Sequence, residues 1–203
     1  KRQWHSSYRL IHSLTISDVE EYKQLVRAFA GGFTHAALYY IGKILKNVYS
    51  IDLSSSYTAV MVHYKYPMSK AKYFRRCTEE YYRYLCNYYC TIADITFYNI
   101  EPIFYNENII SFSKCWNVEN AYLNNGRVWS ADKLTISITE VDFEVFEKFY
   151  KWSALEIVNV RTYIRGYLPK PFIETLAYLY RVKTELKGVS GSEIEYMHGK
   201  MTI

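Results

Sequence analysis

The chain has 203 residues, half of them apolar, with 25 Lys and Arg against 20 Asp and Glu, a formal net charge of +5. That is enough apolar material for a sizeable core, as one domain or one domain with a large insertion, and it excludes a low-complexity or repeat chain. No apolar run reaches the roughly 18 residues a membrane-spanning helix needs, and the opening KRQWHSSYRL has no signal-peptide core, so the sequence reads as soluble and intracellular.

The first predicted element lies in TISDVEEYKQLVRAFAGGF. Ser17 and Glu20 have capping-box spacing, Val19, Tyr22, Val26 and Phe29 form an apolar stripe, and the pair Gly31 and Gly32 is expected to stop the helix. ILKNVYSID is apolar and β-branched, which predicts a buried strand ending at Asp52, then a turn and short helix in SSSYTAVMVHYKYPM. A charged, aromatic helix is predicted from Ser69 to about Tyr89. Short strands follow in TFYNIEPIFYNENIISFS and in NAYLNNGRVWS, the second with an Asn125-Gly126 hairpin turn. TEVDFEVFEKFYKW predicts a helix capped by Thr139 and EIVNVRTYIRGYL a strand. PFIETLAYLYRVKTELKG predicts a helix started by Pro171 and closed by Gly188. A last helix is expected from Ser192, in capping-box spacing with Glu195. Helices and strands come in blocks, so the class is α+β and a doubly wound parallel sheet is not expected.

The chemistry these residues suggest is open at this level. Cys77, Cys86, Cys90 and Cys115 contain no CxxC pair and no histidines in zinc-ligand spacing, so reduced structural thiols are expected. The basic balance permits a polyanionic partner, and the 23 tyrosines could stack on bases and sugars as well as fill the core. Asp52 could cap the following turn or hold something outside the chain. Tyr57 alone reads as another core aromatic, Lys200 as a solvated lysine, and the glycine pair as a helix terminator.

Three motifs in order change this balance. FAGGF at 29–33, DLSSSYT at 52–58 and EYMHGKMTI at 195–203 resemble motifs of the protein-primed family B DNA polymerases of phages and linear plasmids. In that family YxGG/A precedes D-x-x-S-L-Y-P, and a later helix carries K-x-x-x-N-S-x-Y-G. KYPMSK, NNGRVWSADKL and GYLPKPFIETL are also similar to the tailed-phage branch. The departures are Phe29 for tyrosine, Ser56 for leucine and Thr58 for proline, and the chain stops at Ile203 where Asn-Ser is due.

The resemblance implies a partial polymerase palm with the glycine motif and first catalytic motif at 1–99, a β-rich palm-to-fingers insertion of the terminal-protein-binding and processivity type at 100–168, and the start of a helical fingers subdomain at 169–203. A chain that begins at Lys1 and ends within a helix reads as an internal piece, lacking the exonuclease, the second metal-binding motif and the thumb, and it is expected to be inactive alone. The implied activity is DNA-directed DNA polymerisation with two Mg2+ ions, half of whose site would be present. Asp52 and the Leu53 carbonyl would hold metal. Ser55, Ser56 and Tyr57 would meet the nucleotide, with Tyr57 as a steric gate against a 2′-hydroxyl. Lys183 and Lys200 would face its phosphates, and Phe29, Gly31, Gly32 and Phe33 the DNA. Implied partners are template–primer DNA, a dNTP, a terminal priming protein and, if the gene is split, a second polypeptide completing the site. The setting would be the cytoplasm of a phage-infected or plasmid-bearing cell. The rival reading is a non-catalytic DNA-binding replication accessory module on a polymerase-like scaffold.

Overall fold

A computed structural model of the protein describes residues 2–34, 38–53, 55–105 and 107–202. In chain order the elements are α1 (Arg2–Ser13), α2 (Val19–Ala28), α3 (Ser56–His63), β1 (Tyr66–Pro67), β2 (Lys72–Cys77), α4 (Glu79–Tyr88), β3 (Cys90–Pro102), β4 (Cys115–Glu119), β5 (Tyr122–Asn124), β6 (Arg127–Thr139), α5 (Glu140–Phe149), β7 (Tyr150–Lys151), β8 (Ala154–Tyr163), β9 (Arg165–Gly166), α6 (Lys170–Glu185) and α7 (Glu193–Thr202). They form two compact units, Ile16–Val48 with Ala71–Ile164, and Lys1–Thr15 with Tyr49–Lys70 and Arg165–Ile203. The class is α+β, and every strand pairing is antiparallel.

In the sheet unit the strand order is β2-β8-β3-β6-β4, with β5 paired to β6 and β7 to β3. Side chains alternate between the faces of a strand, so register fixes what each face carries. Ile95 opposite Ile136 and Phe97 opposite Leu134 make one face apolar, and Tyr82 and Leu85 of α4 and Phe143 and Phe146 of α5 pack in the same core. Tyr82 meets Phe143 edge to face at 5.2 Å. Both helices start on capping threonines. Thr78 accepts from the Tyr81 amide, and Thr139 forms a full capping box with Asp142.

The opposite face is polar. Asp94 stands across from Ser137 and Thr96 from Thr135, with the two threonine hydroxyls 2.9 Å apart. α2 lies over this face, which explains two differences from the sequence reading. The cap of α2 is Asp18, whose carboxylate accepts the Glu20 amide at 2.9 Å, and not Ser17. The Asp18 carboxyl is held below the usual range chiefly by that amide, against some desolvation, with help from Arg161. The apolar stripe points outward, with Val19 and Tyr22 60% exposed or more, while fully buried Gln24 faces the sheet. A polar sheet face takes the polar side of the helix.

One further expectation changes. The helix predicted from Ser69 is instead β2 followed by α4. β2 stands at the end of the strand order, where its lysine and arginines suit an exposed edge. β3 runs unbroken from Cys90 to Pro102. The Asn125-Gly126 turn is as expected, both residues being left-handed at φ 48° and 74°.

Near that turn, buried Tyr150 bridges two backbone groups, donating to the Val128 carbonyl at 2.7 Å and accepting from the Ile110 amide at 3.5 Å. Burial pushes its hydroxyl up to about 12. Tyr150→Phe keeps the ring and orphans both groups, so it should lower stability by about 1–2 kcal/mol. Denaturant unfolding checks this, and a change below about 0.3 kcal/mol would contradict it.

In the other unit α6 packs against α1, α3 and α7. Pro171 sits in the first turn of α6, and Gly188 beyond its end has φ 79°. β1 and β9 form a two-stranded ribbon.

Candidate functional site

The stretch expected to deliver Asp52 on a buried strand is not a strand. Residues 43–53 form no strand, and Ile44, Val48 and Ile51 are 94%, 71% and 90% exposed. A strand exists only as part of a ladder, and none of the described residues pairs with this stretch. Asp52 is exposed and, among the described residues, makes no hydrogen bond or ion pair. It does not cap α3, whose N-cap is Ser55. Among the described residues, then, Asp52 caps nothing.

Ser55 is itself unusual. The non-glycine residues at positive φ among the described residues are Asn47, Asn99, Asn117, Asn120, Asn125, Asn159 and Ser55. Asparagine tolerates this region by local hydrogen bonding, whereas serine at φ 54° and ψ 37° is strained by about 1–3 kcal/mol. Its side chain makes no capping bond, and instead its hydroxyl lies 3.3 Å from the Lys183 ammonium of α6. The first amides of α3, at Ser56 and Tyr57, have no acceptor within the helix. Tyr57 is 80% exposed, so it is not a core aromatic. Thr58, at the place of the family's proline, is buried.

Thus the fold brings Lys183 to Ser55, next to the start of α3. Lys200, on α7, is exposed, and no hydrogen bond or ion pair joins it to the other described residues. α7 approaches α6 closely at Gly199, where a Cβ would stand 3.4 Å from the Leu179 carbonyl oxygen. No group of three or more His, Cys, Asp or Glu is placed to hold a metal among the described residues. Magnesium binds through one or two carboxylates, with waters and substrate phosphates completing the shell. An exposed carboxylate without an internal partner fits as one such ligand, and the Leu53 carbonyl adjoins it.

The glycine motif belongs to the sheet unit. α2 closes at Ala28 with Phe29 as its cap, the Phe29 amide donating to the Leu25 carbonyl at 2.9 Å, so the helix ends before the glycines. Gly31 and Gly32 have no left-handed φ, and a Cβ added to either would meet nothing within 4 Å. Nothing inside the described chain requires glycine at these positions. Phe29 and Phe33 are 71% and 58% exposed. The Arg127 guanidinium lies 4.8 Å from the Phe33 ring centroid and donates to the carbonyls of Thr34 and Ile109 at 3.2 and 3.1 Å.

Sequence reasoning missed the group that holds α2. The Asp94 carboxylate, 5% exposed, accepts from Gln24, Ser137, Asn159 and Arg27 at 3.0, 2.5, 2.9 and 3.3 Å. Arg161 donates to Gln24 and to Asp18. Asn159 is left-handed at a register shift of β8, and its carbonyl accepts from Gln24 at 2.8 Å. The available signal was one acid in the apolar run CTIADITF and one arginine in IVNVRTYI. A charge in mid-strand needs a buried partner. The four cysteines form no disulfide, and burial pushes the Cys77 and Cys115 thiols up to about 11 and 12. No described helix is long and apolar enough to cross a membrane.

Comparison with known proteins bears on the fold and the family. A search of curated proteins gives no match. Among solved structures, Phi29 DNA polymerase in an orthorhombic crystal form matches with a TM-score of 0.64 at 19% identity, over 91% of this chain and 30% of that one. The Phi29 polymerase complexed with primer-template DNA and incoming nucleotide substrates gives 0.65, 19%, 91% and 30%. The post-translocation binary complex with primer-template DNA gives 0.62, 17%, 88% and 28%. The likeness at these identities is one of fold, and the chain spans about 30% of the length of the first two polymerase structures. The family profile described as DNA polymerase type B, organellar and viral, matches residues 2–188. With the profile reaching across both units, the chain belongs to the organellar and viral type B family of DNA polymerases.

Proposed function

We propose that this chain forms the nucleotide-facing and template-facing part of a DNA-directed DNA polymerase of the phage type, primed by a terminal protein. The observation that carries the reading is the Lys183 ammonium set against Ser55, 128 positions away in sequence, at the start of α3 where Asp52 and Tyr57 stand exposed. A cation, helix amides without an acceptor inside the helix, and a carboxylate without a partner among the described residues suit a metal-bound triphosphate. Asp52 and the Leu53 carbonyl would hold Mg2+, which when bound stabilises charge at the reacting phosphate. Further ligands would come from outside the described residues. Ser55 and Ser56 orient the phosphates, and Lys183 and Lys200 neutralise them. Tyr57 closes the space a 2′-hydroxyl would need, a selectivity by exclusion.

The glycine motif serves the template strand. Two glycines without an internal requirement leave the backbone open to close approach, between two exposed phenyl rings suited to stacking. The β-rich stretch 100–168 would be the palm-to-fingers insertion that meets terminal protein and DNA, and α6 and α7 would open the fingers. The setting is the cytoplasm of a phage-infected or plasmid-bearing cell.

The test is primer extension with dNTPs and magnesium by the full reading frame that carries these residues. Templated extension is expected, while duplex binding without extension would favour an accessory module. In the same assay Tyr57→Val should raise ribonucleotide incorporation about 10- to 100-fold. Unchanged discrimination would remove Tyr57 from this role.

A further inference from the structure

We propose that the glycine motif is a span fixed at both ends, with Asp94 and Arg127 as its positioning residues. The proposal deepens the reading that this motif meets DNA, and its use of DNA rests on that reading. At one end, the last two turns of α2 carry Gln24 and Arg27, and both donate to the buried Asp94 carboxylate. Arg27 also donates to the Ser137 hydroxyl at 3.2 Å and lies 5.4 Å from the Trp116 ring centroid. At the other end, Arg127 of β6 packs over Phe33 and donates to the Thr34 carbonyl, while its second donor binds the Ile109 carbonyl. Between these anchors the span has two exposed rings and open space at both glycines.

The arrangement has a physical purpose. Five residues with two glycines would sample many conformations, and a ligand would have to overcome that entropy. Fixing the ends removes most of the freedom before binding and leaves the middle accessible. Arg27 and Arg127 stand beside a proposed DNA contact, yet they direct donors to protein acceptors. Their role is therefore to place the backbone. A phosphate-binding role predicts a different salt response.

The test uses the 203-residue chain and the variants Arg127→Ala, Arg127→Lys and Asp94→Asn. The first reading needs no DNA. Limited chymotrypsin cleavage at Phe29 and Phe33 should rise about tenfold in Arg127→Ala and Asp94→Asn, relative to cleavage at exposed Tyr105. Arg127→Lys should restore little, because an ammonium cannot reach two carbonyls and stack on a ring together. Unchanged cleavage in Arg127→Ala overturns the proposal whether or not the protein binds DNA. The second reading is primer–template affinity across salt. Arg127→Ala should weaken binding about tenfold with the slope of log K against log salt unchanged. A slope smaller by about one marks a lost phosphate contact and overturns the positioning role. If cleavage responds while the parent chain binds no duplex, the anchors stand and the DNA reading of the motif fails.

Discussion

Asp52→Asn in the full reading frame should reduce magnesium-dependent primer extension by about three orders of magnitude, the several kcal/mol that a metal-held charge contributes at a reacting phosphate. Asparagine preserves the size of the side chain and removes the anionic oxygen. Asp52 makes no hydrogen bond or ion pair with the described residues and lies outside any strand or helix. The substitution should therefore leave thermal stability within about 0.5 kcal/mol of the parent. The combination of lost extension and unchanged melting is diagnostic, because a structural carboxylate would lose both. Extension that survives at parental rate would mean that the polymerase chemistry, if present, does not use Asp52.

Asp94→Ala should show the opposite pattern, a large loss of stability. The carboxylate accepts four hydrogen bonds in a site 5% exposed, one of them from the guanidinium of Arg27. Removing it takes one acceptor from Gln24 and one from Arg27, which keep the Asn159 carbonyl and the Ser137 hydroxyl, and takes the carboxylate acceptor from the Asn159 amide and the Ser137 hydroxyl. Arg27 is partly exposed, so the cost lies in the buried donors that lose an acceptor, at about 1–3 kcal/mol each and about 3–5 kcal/mol together. For a chain of this size that lowers Tm by about 10 °C. Ile95→Val, one residue along on the apolar face, removes a methylene and should cost only about 1 kcal/mol. Calorimetry of the two variants decides whether the polar face is as essential as the apolar one. A loss below 1 kcal/mol for Asp94→Ala would show that water replaces the network.

What could be read from the sequence depended on how local its cause was. The Asn125-Gly126 turn, the Thr139 cap and the placement of Pro171 in the first turn of α6 follow from the conformational preferences of a few adjacent residues, and all three occur. The expected strand at 44–52 failed because apolar, β-branched composition describes a surface that suits pairing and does not supply a neighbour. The face of α2 was misassigned because an apolar stripe identifies a helix without identifying what covers it. Only the acid of β3 and the arginine of β8, read together, would have indicated a polar seat. Lys183 and Ser55 are far apart in sequence, and their contact depends on how α6 packs on α3. For Tyr57 and Lys200 the roles came from the motif resemblance. Exposure then separates Tyr57 from the packing tyrosines, such as fully buried Tyr82.

The polar seat beneath α2 also limits how the protein can be divided. The strands of the larger sheet lie within Ala71–Ile164, a tempting continuous fragment, but the helix that caps its charged face comes from the separate segment Ile16–Val48. Expressed alone, 71–164 would present Asp94, Ser137 and Arg161 to water on one face, with the ladder intact and its cover missing. The smallest autonomous folding piece must therefore include α2, and with it the glycine motif. Fusion or circular permutation at residue 70 would separate the sheet from the helix over its polar face and from the loop it supports.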